Sequence, residues 1–584
     1  MKRIYMEWKT LYQQFDRILL LFAVAFATVE VVWVPLNSWL SEILLEMTGY
    51  AYLSPTNVLA VLAAKWWVTV LFLLLVLSNL VLVYLEIGLL TVGLMRILEQ
   101  EEGLSSYFSH LLGELKRIFK QMSVVKIVYV LLYSAVFFPF LRKVVGIYYV
   151  NKLVVPQFIL DYLAKNQFVA LGMTVALLAF FWLAARLIYS LPLIYKDGVS
   201  VKRAIASSFQ KTREKGVWKS YFKLLGMVTR TIVAFVVVGA GIYFMQIAAD
   251  RWTEGIAFYQ ALFHVVLLYL FYYGILSLFL LKFISYSTES ELPMPHQQQL
   301  HHGMRLGILL LASLYFGVQA FVFLYYPFED LPVTISHRGV DMENGVQNTI
   351  DSLEKTSQLK PDYIEMDVQE TKDGLFVVMH DTDLKALTGH EGGTHDYTLA
   401  ELTQMMASEN GQSSPVPSFD EYLQVSENLQ QRLLVEIKTS KADSPQFMQH
   451  FLQTYGKRLV AGGHQMQSLD YDVVEAVKKF DDKLLAAFIL PFNSIYPTTV
   501  ADGYTMEYSS LDQSFVLKSW IRKKLVYAWT PNSEDSMMRM LQLQVDGIIT
   551  DNLQELQATM QDFTDHQSYA DMIFLQLHLL FLQF

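Results

Sequence analysis

A multi-span α-helical membrane domain followed by an α/β domain, a (β/α)8 TIM barrel, is the fold class that this sequence predicts. Three observations predict it. Before about residue 330 the apolar residues come in blocks long enough to cross a hydrocarbon layer of roughly 30 Å. After that point the apolar runs shrink to strand length and carboxylates become frequent. These short runs alternate with helical stretches, which is the pattern of strand–helix repeats around a parallel sheet.

The composition indicates a membrane protein of at least two domains. The chain has 584 residues, of which 53% are hydrophobic, and its mean hydropathy is +0.31. This length exceeds one compact core, and this apolarity exceeds that of a purely soluble protein. The net charge of -10 argues against nucleic acid as a partner. The absence of cysteine excludes disulfides, thiolate metal sites and cysteine nucleophiles.

Residues 1–330 are predicted to form the membrane domain, with about seven spans. We place the spans at 17–40, 66–95, 124–141, 167–195, 224–249, 257–285 and 305–326. Basic residues flank the first span, namely Lys2, Arg3, Lys9 and Arg17. The positive-inside rule therefore places the N-terminus in the cytoplasm, and an odd number of spans puts everything after Tyr326 outside. We expect a multi-pass protein of the cell membrane with an extracellular second domain.

Two features of the membrane domain leave alternatives open. The loops at 97–122 and 197–222 carry basic and apolar residues at helical spacing. They are amphipathic helices that lie on anionic headgroups, or they bind a specific lipid or protein. Ionisable residues also occur within the predicted spans, at Glu30, Glu86, Arg186, Arg230 and His264. Such residues either pair inside a helix bundle or line a path for lipid or substrate.

Residues 331–565 are predicted to form the barrel. Eight candidate strands lie at 333–336, 363–367, 433–437, 466–468, 484–490, 506–510, 525–530 and 545–551, with an extra strand at 375–379. Eight strands that alternate with helices over about 230 residues match the size of a (β/α)8 barrel. The remaining residues, 566–584, form an apolar tail that is too short to span a membrane. We expect the tail to pack on the barrel or to dip into the membrane interface.

Polar side chains that can do chemistry collect at the carboxyl ends of the predicted strands, where such barrels build active sites. They are His337 and Arg338 after the first strand, Glu365 and Asp367 on the second, His380 after the extra strand, and Glu436 and Lys438 on the third. Residues two apart on a strand point to the same side, so two strands each present a polar pair to one face. Inward carboxylates are costly unless a cation compensates them. Three carboxylates without thiols suit a hard divalent cation, Mg2+ or Ca2+.

In these residues the second half of the chain resembles the glycerophosphodiester phosphodiesterase family. The resemblance runs through His337-Arg338-Gly339, Asn348-Thr349, Glu365-x-Asp367, His380-Asp381, Glu436-x-Lys438, Gln467-Ser468-Leu469-Asp470, Ala528-Trp529-Thr530 and Asp546-Gly547-Ile548-Ile549-Thr550-Asp551. It covers essentially all of the predicted barrel. The N-terminal half resembles, by layout more than by motif, the membrane domain that accompanies this enzyme in some Gram-positive bacteria.

The resemblance implies a role for eight residues: Glu365, Asp367 and Glu436 as metal ligands, His337 and His380 as the acid/base pair, Arg338 and Lys438 at the phosphate, and Trp529 in the pocket wall. It implies metal-dependent hydrolysis of a glycerophosphodiester to glycerol 3-phosphate and an alcohol. A barrel tethered beside lipid headgroups favours lipid-linked or polymeric substrates, such as a lysophospholipid or lipoteichoic acid. Membrane lipids and the diester are the expected partners, and the sequence indicates no particular protein partner.

Two motifs depart from the family pattern. The family usually has Pro-Glu-Asn-Thr after the His-Arg-Gly turn, and this chain has Val346-Gln347-Asn348-Thr349, so a neutral amide replaces a carboxylate. Leu469 stands where the family often has Phe. Because all three metal carboxylates and both histidines remain, we predict an active enzyme, with lowered or altered activity as the alternative.

Rival functions remain open at this stage. One is a phospholipase-D-like enzyme that forms a cyclic phosphate without opening it. Another is a catalytically silent lipid-binding or regulatory membrane protein, of which Gln347 would be the sign. A third is a lipid transporter with an accessory hydrolase. Separately, His390 and His395 in a glycine-rich insertion form either a second metal site or part of a solvated loop.

Overall fold

The chain forms two compact units in a computed structural model, which describes residues 2–54, 56–99, 102–141, 157–164, 166–291, 302–325, 331–493, 495–565 and 568–581. The first unit comprises Met1–Thr48, Leu62–Pro327 and Gln567–Phe584. The second comprises Gly49–Val61 and Phe328–His566. A short segment from early in the chain thus belongs to the same unit as the predicted barrel.

Among the described residues before 326, all regular structure is helical. Its helices are α1 (Lys2–Phe22), α2 (Val34–Thr48), α3 (Val58–Ala64), α4 (Trp66–Glu99), α5 (Leu104–Lys120), α6 (Val124–Leu141), α7 (Gln157–Ala164), α8 (Gln167–Leu187), α9 (Ser190–Tyr195), α10 (Val201–Glu214), α11 (Val217–Trp252), α12 (Ala257–Thr288) and α13 (His302–Tyr325). A π-helical stretch, Ala23–Trp33, joins α1 to α2, and a 3-10 turn, Glu254–Ile256, precedes α12.

Six helical stretches among the described residues are long and apolar enough to cross a membrane. They are Tyr5–Thr48, Trp66–Glu99, Gln167–Leu187, Val217–Trp252, Ala257–Thr288 and Leu306–Leu324. A pair bent by 111°, Leu104–Lys120 with Val124–Phe137, makes seven if it is one span. Each predicted span coincides with a helix. The first of these stretches, Tyr5–Thr48, extends beyond the predicted span 17–40 at both ends.

The two loops predicted to be amphipathic helices form α5 and α10. Helix α5 buries Tyr107, Leu111 and Ile118 in the core of the first unit, so its apolar face packs against other helices. Thr212 of α10 is also buried, and its hydroxyl accepts a hydrogen bond from Nη1 of Arg186 at 2.7 Å. Arg186 is thus paired inside the bundle, which is one of the two roles expected for ionisable residues in the spans.

The second unit is a closed parallel barrel. Its strands are β1 (Val333–Ser336), β2 (Tyr363–Glu370), β3 (Phe376–Val378), β4 (Met406–Glu409), β5 (Gln412–Pro415), β6 (Leu433–Ile437), β7 (Gln465–Ser468), β8 (Ala486–Leu490), β9 (Gly503–Glu507), β10 (Leu525–Trp529) and β11 (Gly547–Thr550). The ring runs β1-β2-β6-β7-β8-β9-β10-β11 and closes because β1 pairs with both β2 and β11. Strand β3 adds antiparallel to β2, and β4 pairs only with β5.

Helices surround the barrel, but one position of the outer ring lacks its helix. The helices are α14 (Ile350–Ser357), α15 (Lys385–Thr388), α16 (Leu399–Leu402), α17 (Phe419–Asn428), α18 (Phe447–Gly462), α19 (Tyr471–Phe480), α20 (Gln513–Ile521), α21 (Glu534–Leu543) and α22 (Leu553–Asp565). Two 3-10 turns, His337–Gly339 and Thr394–Asp396, follow β1 and α15. Between β8 and β9 the described residues, 491–493 and 495–502, contain no helix.

The segment Gly49–Val61 packs where this helix is missing. The Tyr52 ring lies 5.3 Å from the ring of Tyr471 on α19 and 4.7 Å from that of Phe488 on β8. The backbone N–H of Thr498 donates to the carbonyl of Ala51 at 2.8 Å. A tyrosine from early in the chain therefore covers an apolar part of the barrel core that a barrel helix would otherwise cover.

The predicted fold class is confirmed, and the differences are local. The strands predicted at 333–336 and 433–437 match β1 and β6, whereas β9 lies three residues earlier than predicted because Tyr504 and Met506 bury their side chains in the core. The β4–β5 hairpin was not predicted because its residues are mostly polar and exposed. The tail forms α23 (Tyr569–Phe581), which belongs to the first unit, where Leu577 packs on Gly239 of α11.

Candidate active site

The turn after β1 places His337 and Arg338 at the carboxyl end of the barrel. The turn His337–Gly339 directly follows the last residue of β1. Arg338 has φ 53°, in the left-handed region, and its backbone N–H donates to Oε2 of Glu365 at 2.8 Å. Gly339 has φ +69°, and a Cβ there would lie 3.0 Å from the hydroxyl of Tyr422. The turn therefore favours glycine at position 339. The hydrogen bond from Arg338 to Glu365 holds the turn against β2.

Three carboxylates from two neighbouring strands form a buried cluster. Glu365 and Asp367 alternate along β2, and Glu436 on β6 pairs in register with Asp367. Both β2 carboxylates are 1% exposed, and the three groups each offer an oxygen within 4.8 Å of the others. Nζ of Lys438 lies 3.2 Å from Glu436 and 3.4 Å from Asp367. Nε of Arg338 lies 3.7 Å from Oδ2 of Asp367, whereas Lys438 approaches the other oxygen, Oδ1.

Burial and mutual repulsion determine the charge of this cluster. Burial raises the pKa of Glu365 well above its usual range, and Asp367 and Glu436 raise it further. Burial would raise the pKa of Asp367 as well, but Lys438 and Arg338 outweigh it and lower that pKa to about 2. Three carboxylates share two cationic side chains here, and the raised pKa of Glu365 reflects this excess of carboxylates. An all-oxygen donor set of this kind fits a hard divalent cation such as Mg2+ or Ca2+.

Each of the two candidate acid/base histidines is held by a carboxylate through Nδ1. Nδ1 of His337 lies 2.7 Å from Oδ1 of Asp551, which follows β11. Nδ1 of His380 lies 2.8 Å from Oδ1 of Asp381. Burial would raise the pKa of Asp551, but His337 and the Asn532 amide lower it to about 2, so Asp551 is ionised. Nε2, on the far edge of each ring, is then the atom that can exchange a proton with a substrate.

Gln369 fixes the loop that carries His380. Its Nε2 donates to the carbonyls of Met379, His380 and Asp381 at 2.9–3.0 Å, and its Oε1 accepts from the hydroxyl of Thr394 at 3.2 Å. Gln369 is 4% exposed. Because it stands two residues after Asp367 on β2, it points to the same side as the carboxylates. The same alternation in the sequence predicts this orientation, although Gln369 is not among the predicted site residues.

Gln347, the departure from the family pattern, joins Arg338 to a carboxylate of the β4–β5 hairpin. Its Oε1 accepts from Nη1 of Arg338 at 2.7 Å. Its Nε2 donates to Oε1 of Glu409 at 3.0 Å, and its backbone N–H donates to Oε2 at 3.3 Å. Glu409 was missed by sequence reasoning, since it lies in an irregular insertion and no pattern relates it to the barrel strands.

Trp529 lies at the carboxyl end of β10 and is partly exposed. It packs against the apolar cluster of inward side chains that includes Ile335 and Ile549. At the neighbouring strand, the buried Glu507 ends β9, and its Oε2 accepts from the hydroxyl of Ser509 at 2.6 Å. All eight residues singled out from the sequence therefore belong to the barrel unit and stand on or just after its strands.

The two histidines of the glycine-rich insertion have different surroundings. His390 is exposed, with Nδ1 3.0 Å from the carbonyl of Thr388. Nε2 of His395 lies 2.7 Å from Oδ1 of Asp443, and with Glu370 these groups lie within 4.8 Å of one another. Both oxygens of Glu370 accept hydrogen bonds from Ser444. His395 thus ties the insertion to the loop after β6, while His390 lies in the solvated part.

Two family models match the chain. The model described as the membrane domain of glycerophosphoryl diester phosphodiesterase matches residues 4–319, which is more than half of the chain. The model of the glycerophosphoryl diester phosphodiesterase family matches residues 337–555. The two matches follow one another along the chain and correspond to its helical and barrel parts.

Individual relatives match the barrel part. A glycerophosphodiester phosphodiesterase of Caldanaerobacter subterraneus is 27% identical over 233 residues, which cover 38% of this chain and 96% of that protein. One from Bacillus subtilis is 26% identical over 248 residues, which cover 38% of this chain and 84% of that protein. The crystal structure of one from Parabacteroides distasonis is 25% identical with a TM-score of 0.35, covering 40% of this chain and 98% of that chain.

Proposed function

Because the chain belongs to the glycerophosphodiester phosphodiesterase family, in the form that carries a membrane domain, we propose that it hydrolyses glycerophosphodiesters to glycerol 3-phosphate and an alcohol. One observation carries this proposal: three buried carboxylates, two cationic side chains and two carboxylate-held histidines stand at the carboxyl ends of strands in one barrel. We assign catalysis to 331–565 and membrane anchoring to 1–330 with the tail 566–584.

Glu365, Asp367 and Glu436 would hold a divalent cation, Mg2+ or Ca2+, on which we propose that activity depends. When bound there, the cation supplies Lewis-acid stabilisation of the charge that grows on the phosphate oxygens. Support comes from the excess of three carboxylates over two cationic side chains and from the oxygen donors of the cluster. The Asn348 amide donates to Oδ2 of Asp367 at 2.9 Å and orients that carboxylate.

Arg338 and Lys438 would bind the phosphodiester, with Trp529 in the pocket wall. A phosphodiester resists hydrolysis because its negative charge repels nucleophiles and because an alkoxide is a poor leaving group. Two cationic side chains beside the carboxylate cluster neutralise the charge that grows in the transition state. The left-handed turn at Arg338 holds its backbone against Glu365, which restricts where the guanidinium can point.

The two histidines would transfer the protons. One imidazole removes a proton from the attacking oxygen as the new P–O bond forms, and the other donates a proton to the leaving oxygen as the old P–O bond breaks. If the attacking oxygen is the 2-hydroxyl of the glycerol, the product is a cyclic phosphate, which water then opens with the proton roles exchanged. Asp551 and Asp381 contact Nδ1 of His337 and of His380, which orients the two rings.

We further propose that the barrel lies at the outer face of the membrane. The segment Gly49–Val61 packs on the barrel and also connects α2 to α4, the ends of the first two candidate spans. A bilayer cannot separate two parts of one packed unit, so the barrel is on the side of this first loop. The basic residues before the first span support a cytoplasmic N-terminus, which would put this loop and the barrel outside.

An outer-face barrel favours lipid-linked or polymeric substrates, and we propose a lysophospholipid or lipoteichoic acid. The experiment is release of glycerol 3-phosphate by the purified full chain, with glycerophosphocholine, lysophosphatidylglycerol and lipoteichoic acid offered in parallel. Wild type is compared with His337→Ala and Glu365→Ala. We expect turnover that is lost on chelation and in both variants. Turnover of glycerophosphocholine alone would sink the substrate preference while leaving the enzyme class intact.

Two further measurements, together with this experiment, separate the rival functions. Phosphorus NMR that shows accumulation of a cyclic phosphate would identify a phospholipase-D-like enzyme. No turnover with any substrate or metal, in folded protein, would favour a silent lipid-binding regulator. Movement of lipid between leaflets by residues 1–330 alone would indicate a transporter.

A further inference from the structure

Helix α20 of the barrel is apolar on both of its faces. Phe515, Val516 and Ser519 are buried against the barrel. Leu517, Trp520 and Ile521 point the other way and are 53%, 75% and 64% exposed. The spacing of three and four residues places these three side chains on one side of the helix. A soluble barrel would normally have polar residues there, because a surface helix presents charged or polar residues to water.

Basic residues flank this outward face. They are Lys518, Arg522 and Lys523, whereas Nζ of the partly buried Lys524 donates to the carbonyl of Ala501. No Asp or Glu occurs from 513 to 533, although the net charge of the whole chain is -10. Arg522 and Lys523 are exposed. We define the α20 face as Leu517, Trp520 and Ile521 with the flanking basic residues. Tryptophan and aliphatic side chains bordered by lysine and arginine are typical of helices that lie in the interface of an anionic membrane.

The α20 face adjoins the loop that binds the Gly49–Val61 segment. The loop between β8 and β9 carries Tyr496, whose ring lies 5.1 Å from that of Phe515 and under the guanidinium of Arg522 at 4.7 Å. The same loop binds the Gly49–Val61 segment through Thr498. That segment continues into α4, which begins with Trp66 and Trp67, so the chain reaches the headgroup region a few residues later.

We propose that the α20 face docks on the anionic lipid surface, with Trp520 and Ile521 in the interface and the basic residues at the phosphates. This contact is in addition to the covalent tethers of the barrel. It does not depend on the proposed enzymatic activity. The contact would fix which side of the barrel faces the bilayer. A flexible tether alone would not fix this orientation.

The lack of cysteine in the chain makes a direct test simple. Trp520→Cys and, separately, Leu517→Cys are labelled with a spin label in the full chain. The control is Leu429→Cys. Leu429 directly follows α17, is 41% exposed, and lies on the opposite side of the eight-stranded ring from α20. The labelled proteins are placed in nanodiscs of phosphatidylcholine with phosphatidylglycerol, and collision with a water-soluble nickel complex is measured.

We expect collision with nickel to be about threefold or more lower at 517 and 520 than at 429, because an interfacial helix sinks its apolar face below the headgroups. Phosphatidylcholine alone or high salt should weaken the protection, since the basic residues contribute through charge. Equal collision at all three positions would overturn the proposal. So would protection that persists in lipid-free amphipol and grows with protein concentration, because it would identify a second copy of the chain as the occupant.

Discussion

Gln347 donates a hydrogen bond from Nε2 to Oε1 of Glu409 at 3.0 Å while its Oε1 accepts from Arg338. The family resemblance predicts a carboxylate at 347, where it would pair with Arg338 directly. Here the amide sits between the guanidinium and a carboxylate that comes from the β4–β5 hairpin. The negative charge is therefore still present, one residue further from Arg338. We expect Gln347 and Glu409 to act as positioning residues for Arg338, so that the neutral side chain at 347 does not abolish activity.

A charge swap tests this relationship. Gln347→Glu alone puts two carboxylates about 3 Å apart, and Glu409→Gln alone removes the charge that orients the amide. We expect either single variant to lower kcat/KM about tenfold, mostly through KM, because a hydrogen bond between charged groups is worth roughly 1.5–3 kcal/mol. The double variant Gln347→Glu/Glu409→Gln restores one carboxylate and one amide and should return to within about twofold of wild type.

The control for the swap is Glu391→Gln, which removes a carboxylate of the same insertion that is 77% exposed. It should leave the kinetics unchanged. Additive losses in the double variant would contradict the positioning role. Inactive wild type would instead contradict the proposed enzymatic function, so the two failures are distinguishable.

The pairing of His337 with Asp551 predicts a loss in kcat with little change in KM. Asp551→Asn keeps the size of the side chain but removes the negative charge that holds Nδ1 of His337. We expect kcat to fall about a hundredfold or more, because a misoriented imidazole loses its contribution to general acid–base catalysis. Asp482→Asn, at a side chain that is 95% exposed, is the matched control. A fall in binding of glycerol 3-phosphate without a fall in kcat would argue against this role.

Much of the barrel could be predicted because its strands have local signals. Val333–Ser336 and Leu433–Ile437 are short apolar runs, and the polar residues at i and i+2 identify which side of β2 faces inward. Gln369 continues that alternation, so its inward orientation could have been predicted from the sequence. The contact of Glu409 with Gln347 could not have been predicted, because it joins residues 62 apart through a hairpin of largely polar residues. Sequence periodicity carries no information about such a contact.

The discontinuous barrel unit also lay beyond sequence reasoning. The contact of Tyr52 with Phe488 joins residues more than 400 positions apart, and the local sequence around Tyr52 resembles any polar loop between two spans. One indication is present in the sequence. The stretch 491–502 has no helical periodicity, although the strand–helix repeat of the barrel predicts a helix there. A missing element in a repeating fold indicates that another part of the chain covers the core at that position.

Tyr52 is predicted to stabilise this side of the barrel. Tyr52→Ala removes a partly buried ring from Tyr471 and Phe488, and we expect a local cost of about 1–2 kcal/mol. Hydrogen exchange of residues 486–502 in the full chain should therefore speed up by roughly tenfold. Leu59→Ala is the control, since Leu59 belongs to the same segment but is 79% exposed. Equal exchange in both variants would show that the segment lies on the barrel without stabilising it.

His464 should make the stability of the barrel depend on pH. Its Nδ1 accepts from the backbone N–H of Leu433 at 2.9 Å, and burial lowers the pKa of His464 to about 4. The unfolded chain takes up this proton near pH 6.5. Because the folded pKa is the lower one, the stabilisation by the neutral ring is complete above about pH 6.5 and is lost as the pH falls toward about 4.

His464→Asn isolates this effect, because the asparagine oxygen can accept the Leu433 hydrogen bond and the side chain does not titrate. Between pH 7 and roughly pH 5.5, we expect wild type to lose about 1 kcal/mol more unfolding free energy than the variant. Thermal unfolding of both proteins across this range measures the difference, and other titrating groups cancel because both chains share them. If the unfolding free energies of wild type and variant changed in parallel with pH, the folded protein would tolerate a protonated His464. That would require a hydrogen-bond acceptor for Nε2 at a buried position.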